Sequence, residues 1–413
     1  MADHAVPRAV RTQHRLNVFI QPEHSKRLDE LAAKKGVSKS SIVAAALASW
    51  LSPDAADQRE AAIAKRLDRL SRHAERMDRE GRLVAACEPP ADGRGGYFFP
   101  PRVYEIERLD QLEREVFGPI LHVIRYRVEE LPQVYEAINA SGYGLTLGVH
   151  SRIDGFAREV FQATRVGNTY INRNMVGAVV GVQPFGGEGL SGTGPKAGGP
   201  LYLYRLLSTR PQEAVAQYLR QADVQTLPVP SELDKLRTAF AEWAGQQEPA
   251  IAALFEQYRS LSQSYSSHLL TGPTGERNSY TLLPREHVLN LADERGDLLA
   301  QLAATLAVGS RAIWLESQRA LYSELPKEVQ KHIQLVADWN SIDVELDAIL
   351  HHGDSDQLRA VSEQAAQRKG AIIGVHGLNK GETDIALERL LVEHALSVNT
   401  AAAGGNASLM TIG

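Results

Sequence analysis

The chain has 413 residues, enough for two or three domains rather than one core. Hydrophobic residues make up 43% and charged residues 23%, a balance that excludes a disordered polymer, and a formal net charge of -5 excludes a chain-wide basic excess for nucleic acid. One cysteine excludes an intramolecular disulfide framework, the apolar run 42–51 is too short to span a bilayer, and residues 1–15 carry no apolar leader core. A cytoplasmic protein with no membrane partner is therefore expected.

Residues 15–20 alternate, with Leu16, Val18 and Ile20 on one face and Arg15, Asn17 and Phe19 on the other, the period of a strand. Pro22 follows and starts a helix that Gly36 ends. Ser38 N-caps a second helix with Ile42, Val43, Ala46, Leu47 and Trp50 on its buried side, and Pro53 closes the unit. So short a unit cannot bury a core alone and needs a partner chain. It resembles the ribbon–helix–helix family of DNA-binding dimers. The resemblance implies a homodimer through residues 15–52, DNA as a partner, and Arg15, Asn17 and Phe19 facing the DNA. Ser38 and Lys39 would then meet a phosphate at a helix N-terminus. Residues 1–40 hold eight Lys and Arg against four Asp and Glu, the local excess this requires.

Ile63, Leu67, Leu70, Ala74 and Met77 form a short heptad seam, so residues 53–80 are expected as a helical connector. Residues 81–210 are rich in Gly and Pro and carry the chemistry. Glu115-Val116-Phe117-Gly118-Pro119 places a carboxylate on a turn forced by Gly118-Pro119, well placed to accept hydrogen bonds from a ribose diol. Residues 166–172 read as a strand and residues 174–181 as a loop of small residues. Five glycines then fall within residues 184–194, letting the backbone approach a ligand closely.

In this order these segments resemble the aldehyde dehydrogenase superfamily. The string Asn172-Arg173-Asn174-Met175-Val176-Gly177-Ala178 with Pro184-Phe185-Gly186-Gly187 is similar to the L-glutamate γ-semialdehyde (Δ1-pyrroline-5-carboxylate) dehydrogenase module of the proline utilization A family. The resemblance implies NAD as cofactor, with Glu115 and Phe117 at its nicotinamide ribose. Gly177 and Ala178 would hold the substrate's α-carboxylate through backbone N–H groups, and Phe185 would pack against its aliphatic chain. Residues 211–413, with Gly272-Pro273-Thr274-Gly275-Glu276 and the tail from Ser397, resemble that family's C-terminal domain. There residues 312–315 and 371–375 suit buried parallel strands. The fold class expected is α/β: a ribbon–helix–helix segment (1–52), a connector (53–80), a partial aldehyde dehydrogenase catalytic domain (81–210), and an aldehyde-dehydrogenase-like C-terminal domain (211–413).

Aldehyde oxidation in this family needs a cysteine thiolate. Cys87, the single cysteine, does not sit in the family's nucleophile loop and reads as a bystander, so no catalytic residue is assigned. The general-base glutamate and the dinucleotide-binding half are likewise unmatched, and without them an apolar face is expected to stay uncovered. His351, His352, Asp354 and Asp356 read as a solvated loop with no metal, and Gly374, Gly377 and Gly381 as a turn after a strand. Three functions stay open: a truncated dehydrogenase fused to an unrelated segment, a DNA-binding regulator, and half of a split enzyme completed by a separate chain.

Overall fold

The structure is a computed structural model that describes residues 22–50, 53–88, 97–207, 211, 223–341 and 343–401. The chain divides into two compact units, Met1–Arg125 and Tyr126–Gly413.

In the first unit, helix α1 (Pro22–Lys35) ends at Gly36, whose φ of 62° is the left-handed C-cap geometry expected. Helix α2 (Lys39–Trp50) starts where Ser38 Oγ accepts from the Ser41 amide at 3.1 Å. The paired strand expected at residues 15–20, with Arg15, Asn17 and Phe19, lies outside the described residues. Pro53 does not merely end this pair of helices; it opens α3 (Pro53–Glu80), where a missing N–H costs nothing. The seam behaves as a packing face along its second half. Leu70, Ala74 and Met77 are buried, whereas Ile63 is exposed. Met77 packs with Tyr104 and Ile106 over a three-stranded sheet of β1 (Arg82–Ala86), β2 (Arg102–Glu105) and β3 (Ile120–Val123). Leu83 and Val84 on β1 and Leu121 on β3 stay exposed.

The second unit holds α4 (Leu131–Ala140), α5 (Asp154–Ala163) and two principal sheets. The first sheet runs through β5 (Thr146–Val149), β6 (Asn168–Ile171), β16 (Leu391–Asn399), β10 (Glu276–Pro284), β9 (Ser266–Leu270) and β8 (Asp223–Thr226). It is mixed: β6 is parallel to both β5 and β16, and β10 is antiparallel to β16 and β9. A two-residue pair, β4 (Tyr143–Gly144) with β7 (Glu188–Gly189), lies beside it in sequence. The second sheet is fully parallel, in the order β13 (Ile333–Val336), β12 (Arg311–Leu315), β11 (His287–Leu291), β14 (Ala348–His352), β15 (Gly374–Leu378). This is a doubly wound order, and its helix Arg295–Val308 is buried along its length from Asp297 onward. Leu298, Leu299 and Leu302 join Val288, Ala312 and Trp314 in the main core.

Two expectations fail here. His351 and His352 do not lie in a solvated loop; they end β14 and are buried at 6% and 4% exposure. His352 bonds Gln301 at 2.7 Å and the Glu382 carbonyl at 2.8 Å, so a side chain that reads as polar is held inside by satisfied hydrogen bonds. Asp354 instead caps the helix Ser355–Ala366 by accepting from the amides of Asp356 and Gln357. Gly374 and Gly377 do not form a turn; they belong to β15, which starts three positions later than residue 371. A Cβ at Gly377 would stand 2.4 Å from Leu358 Cδ2, so the glycine is needed for close helix-on-strand packing. Only Gly381, with φ of 76°, is the turn residue expected. Among the described residues no group of His, Cys, Asp and Glu could hold a metal, and no helix is long and apolar enough to cross a membrane.

Candidate functional site

Strand β6 is buried on all four residues and sits between two parallel neighbours, which fixes the point where the chain leaves the sheet. Asn172 takes that corner with φ of 54°. Its side chain accepts from the Ser151 amide at 2.9 Å and donates to the Ser151 carbonyl at 2.8 Å, which holds an otherwise strained residue. Arg173 then turns inward. Its guanidinium lies over Tyr170 at 5.1 Å, donates to Ser397 Oγ at 2.8 Å and pairs with the Glu276 carboxylate. Gln183 donates to the same carboxylate from the far end of the loop, and Ser397 Oγ donates to it at 2.7 Å. One carboxylate thus clamps both ends of residues 173–183.

Gln183 also closes the loop internally. Its Oε1 accepts from the Val179 amide at 3.0 Å and its own amide donates to the Val179 carbonyl at 2.9 Å. The tip between these anchors is exposed. Val176 and Val180 are 86% and 87% accessible, and Met175 and Val179 are also open. Gly177 has φ of 79°, and nothing lies within 4 Å of where its Cβ would be. Among the described residues neither the Gly177 nor the Ala178 amide is hydrogen bonded. Two adjacent unbonded N–H groups on a loop with fixed ends are donors that an anion could use.

Phe185 is half-buried and pairs with Ala197 through backbone bonds of 3.0 and 2.8 Å. The glycines around it are required by close packing. A Cβ at Gly187 would meet Ser191 Cβ at 2.6 Å, one at Gly192 would meet the Gly187 carbonyl at 2.7 Å, and one at Gly167 would meet the Gly186 carbonyl at 2.2 Å. They let the loop fold onto its own backbone. Beneath it Lys196 is buried, donates to Asn168 Oδ1 at 3.3 Å and to the Gly186 carbonyl, and burial pushes its pKa down to about 8. Burial raises the pKa of nearby Glu393, which accepts from Tyr280 Oη at 2.6 Å and the Lys196 amide at 2.8 Å.

Glu115 and Phe117 belong to the first unit, on an irregular stretch before β3. Both are exposed, Phe117 at 90%. The turn after them is fixed by packing, since a Cβ at Gly118 would stand 2.2 Å from Leu70 Cδ2. Cys87 is exposed just after β1, and its amide donates to the Pro101 carbonyl at 2.9 Å. Ser38 Oγ is engaged with Ser41, and Lys39 at the start of α2 pairs with Asp29 of α1 at 2.5 Å, so the two described residues of the DNA-facing set hold partners within the α1–α2 pair.

The family model described as Aldehyde dehydrogenase family matches residues 56–210. Bifunctional protein PutA of Escherichia coli (strain K12) is 54% identical over 355 residues, 83% of this chain and 27% of that protein. The chain is homologous to PutA and to its aldehyde dehydrogenase domain. It spans well under two thirds of the length of the curated PutA relatives it matches. The 1-pyrroline-5-carboxylate dehydrogenase of Bacillus subtilis (strain 168) is 37% identical over 126 residues, 30% of this chain and 24% of that protein. The structure of PutA from Corynebacterium freiburgense shares the fold, with a TM-score of 0.52 at 23% identity over 80% of this chain and 31% of that one. The α/β architecture with mixed sheets is therefore aldehyde-dehydrogenase-like.

The described residues do not by themselves fit a dinucleotide. The described part of the first unit offers Glu115 on an exposed segment and a three-stranded sheet, with no strand–helix–strand cradle for a pyrophosphate. The turn after β11 reads Ala292-Asp293-Glu294-Arg295, and its carboxylates at a helix N-terminus repel phosphate. Arg173, Gln183, Glu276, Lys196 and Glu393 were missed by sequence reading. The one available signal was polar side chains set in small or apolar runs, and their partners lie far along the chain.

Proposed function

We propose that this chain supplies the substrate-carboxylate loop and C-terminal domain of a PutA-type L-glutamate γ-semialdehyde dehydrogenase, which oxidises the semialdehyde to glutamate with NAD. What supports this reading most is the pair of unbonded amides at Gly177 and Ala178, carried on a loop whose ends are clamped by Glu276. Two N–H groups at that tip suit an α-carboxylate, and half-buried Phe185 suits the methylene chain beside it. Thioester chemistry needs a thiolate next to a base, and exposed Cys87 has no hydrogen-bonded base among the described residues. The reading therefore assigns this chain docking and not chemistry, and leaves the nucleophile to another polypeptide segment.

The purified chain should form no NADH from glutamate semialdehyde and NAD. Addition of the E. coli PutA segment that precedes the matched region should restore formation. With the restored pair, Gly177→Val should raise KM at least about tenfold, since a lost charge-assisted bond is worth ~1.5–3 kcal/mol. NADH formation by the chain alone, abolished by Cys87→Ala, would overturn the assignment of chemistry elsewhere. An unchanged KM in Gly177→Val would overturn the carboxylate loop.

A further inference from the structure

The second unit also contains a cleft of ≈ 530 Å³, away from the Gly177 loop in sequence and lined on one side by Thr193, Tyr204 and Arg205. Its other walls include Arg285, His376 on β15, and Arg389. Arg285 donates from Nη2 to the Thr193 carbonyl at 3.1 Å and from Nε to the Arg389 carbonyl at 3.0 Å. Arg205 donates from Nη2 to the next carbonyl, Gly194, at 3.1 Å. Two guanidiniums are thus anchored side by side on consecutive backbone carbonyls. Neither has a carboxylate within ion-pair distance among the described residues. Glu393, Glu188 and Asp347 reach Arg285 only through longer-range attraction.

The third basic group points the same way. Arg389 Nη1 lies 3.2 Å from His376 Nδ1. Burial, then Arg389, Arg285 and Arg205 in that order, push the His376 pKa down to about 3, and no carboxylate offsets them. The imidazole is neutral at pH 7 and accepts from Arg389, so all the positive charge at this wall stays on guanidiniums. The carboxylates that line the same cleft are engaged. Glu393 accepts from Tyr280 and the Lys196 amide, Glu382 accepts from the Asn379 amide and side chain at 2.8 and 2.9 Å, and Asp384 and Glu388 each hold a partner already. Guanidiniums fixed through carbonyls keep their outer N–H edges for an acceptor, and their planar fork matches a carboxylate or phosphate.

We propose that this cleft is a binding site for a small oxyanion, a carboxylate or phosphate, held by Arg205 and Arg285 against the Thr193-Gly194 turn. Such a ligand would brace the glycine-rich loop that carries Phe185 from the side opposite in sequence to the Gly177 tip. The site is independent of the proposed dehydrogenase role and stands or falls separately.

Isothermal titration of the full chain at constant ionic strength, with L-glutamate in one arm and inorganic phosphate in the other, tests this. At least one anion should give saturable one-to-one heats. Arg205→Gln, a change at an exposed side chain whose circular dichroism should match that of the unaltered chain, should weaken that binding at least about tenfold, as should Arg285→Gln. Gly177→Val should leave it unchanged, which separates it from the substrate loop. Absence of saturable heat with both anions, or binding unaltered in Arg205→Gln, would overturn the proposal even if Arg285→Gln failed to fold.

Discussion

Glu276 is the most consequential single side chain for the candidate site, and the cost of losing it can be worked out. Its carboxylate receives Arg173, Gln183 and Ser397, and both it and Arg173 are only 18% exposed. Removing one partner of a buried ion pair costs about 3–5 kcal/mol because the other charge stays desolvated, and a hydrogen bond to a charged group is worth ~1.5–3 kcal/mol. Residual exposure places Glu276→Gln near the lower end, at about 3 kcal/mol. The effect should be local as well as global, since the carboxylate ties both ends of residues 173–183. Urea unfolding of Glu276→Gln, Arg173→Met and the double variant should give a coupling energy above about 1 kcal/mol. Limited proteolysis should find the 174–181 loop cut faster in each single variant. Additivity within ~0.5 kcal/mol, together with an unchanged cleavage rate, would refute the clamp.

Lys196 has a folded pKa of about 8 against an ordinary 10.5, so the unfolded chain binds more protons between those values. Stability should therefore rise with pH across that window by up to roughly 3 kcal/mol from this site, and Lys196→Met should flatten the slope in pH-dependent unfolding. Gly377→Val should destabilise by about 1–3 kcal/mol through the 2.4 Å approach to Leu358, and Leu358→Ala in the same chain should recover part of the loss in thermal melts.

Local chemistry made several elements readable from residues alone. Gly36 ends α1 and Ser38 caps α2, because a left-handed C-cap and a side-chain acceptor act within one turn. The run at residues 312–315 became part of β12, since continuous apolar residues suit a strand buried on both faces, and residues 166–172 hold β6 through the β-branched and aromatic Thr169, Tyr170 and Ile171. The string from Asn172 to Phe185 was enough to point to the aldehyde dehydrogenase superfamily, to which the comparisons also lead.

Tertiary structure alone decided what those residues do. Arg173 and Ser397 meet across 224 positions, and Glu276 and Ser397 across 121. No short-range pattern encodes such partners; they exist because β16 pairs with both β6 and β10. Burial likewise overrode residue type at His351 and His352, and at Gly377 the approach of a helix, not a turn, required glycine. Periodicity and caps are set by neighbours in the chain, whereas charge pairing, burial and close approach are set by neighbours in space.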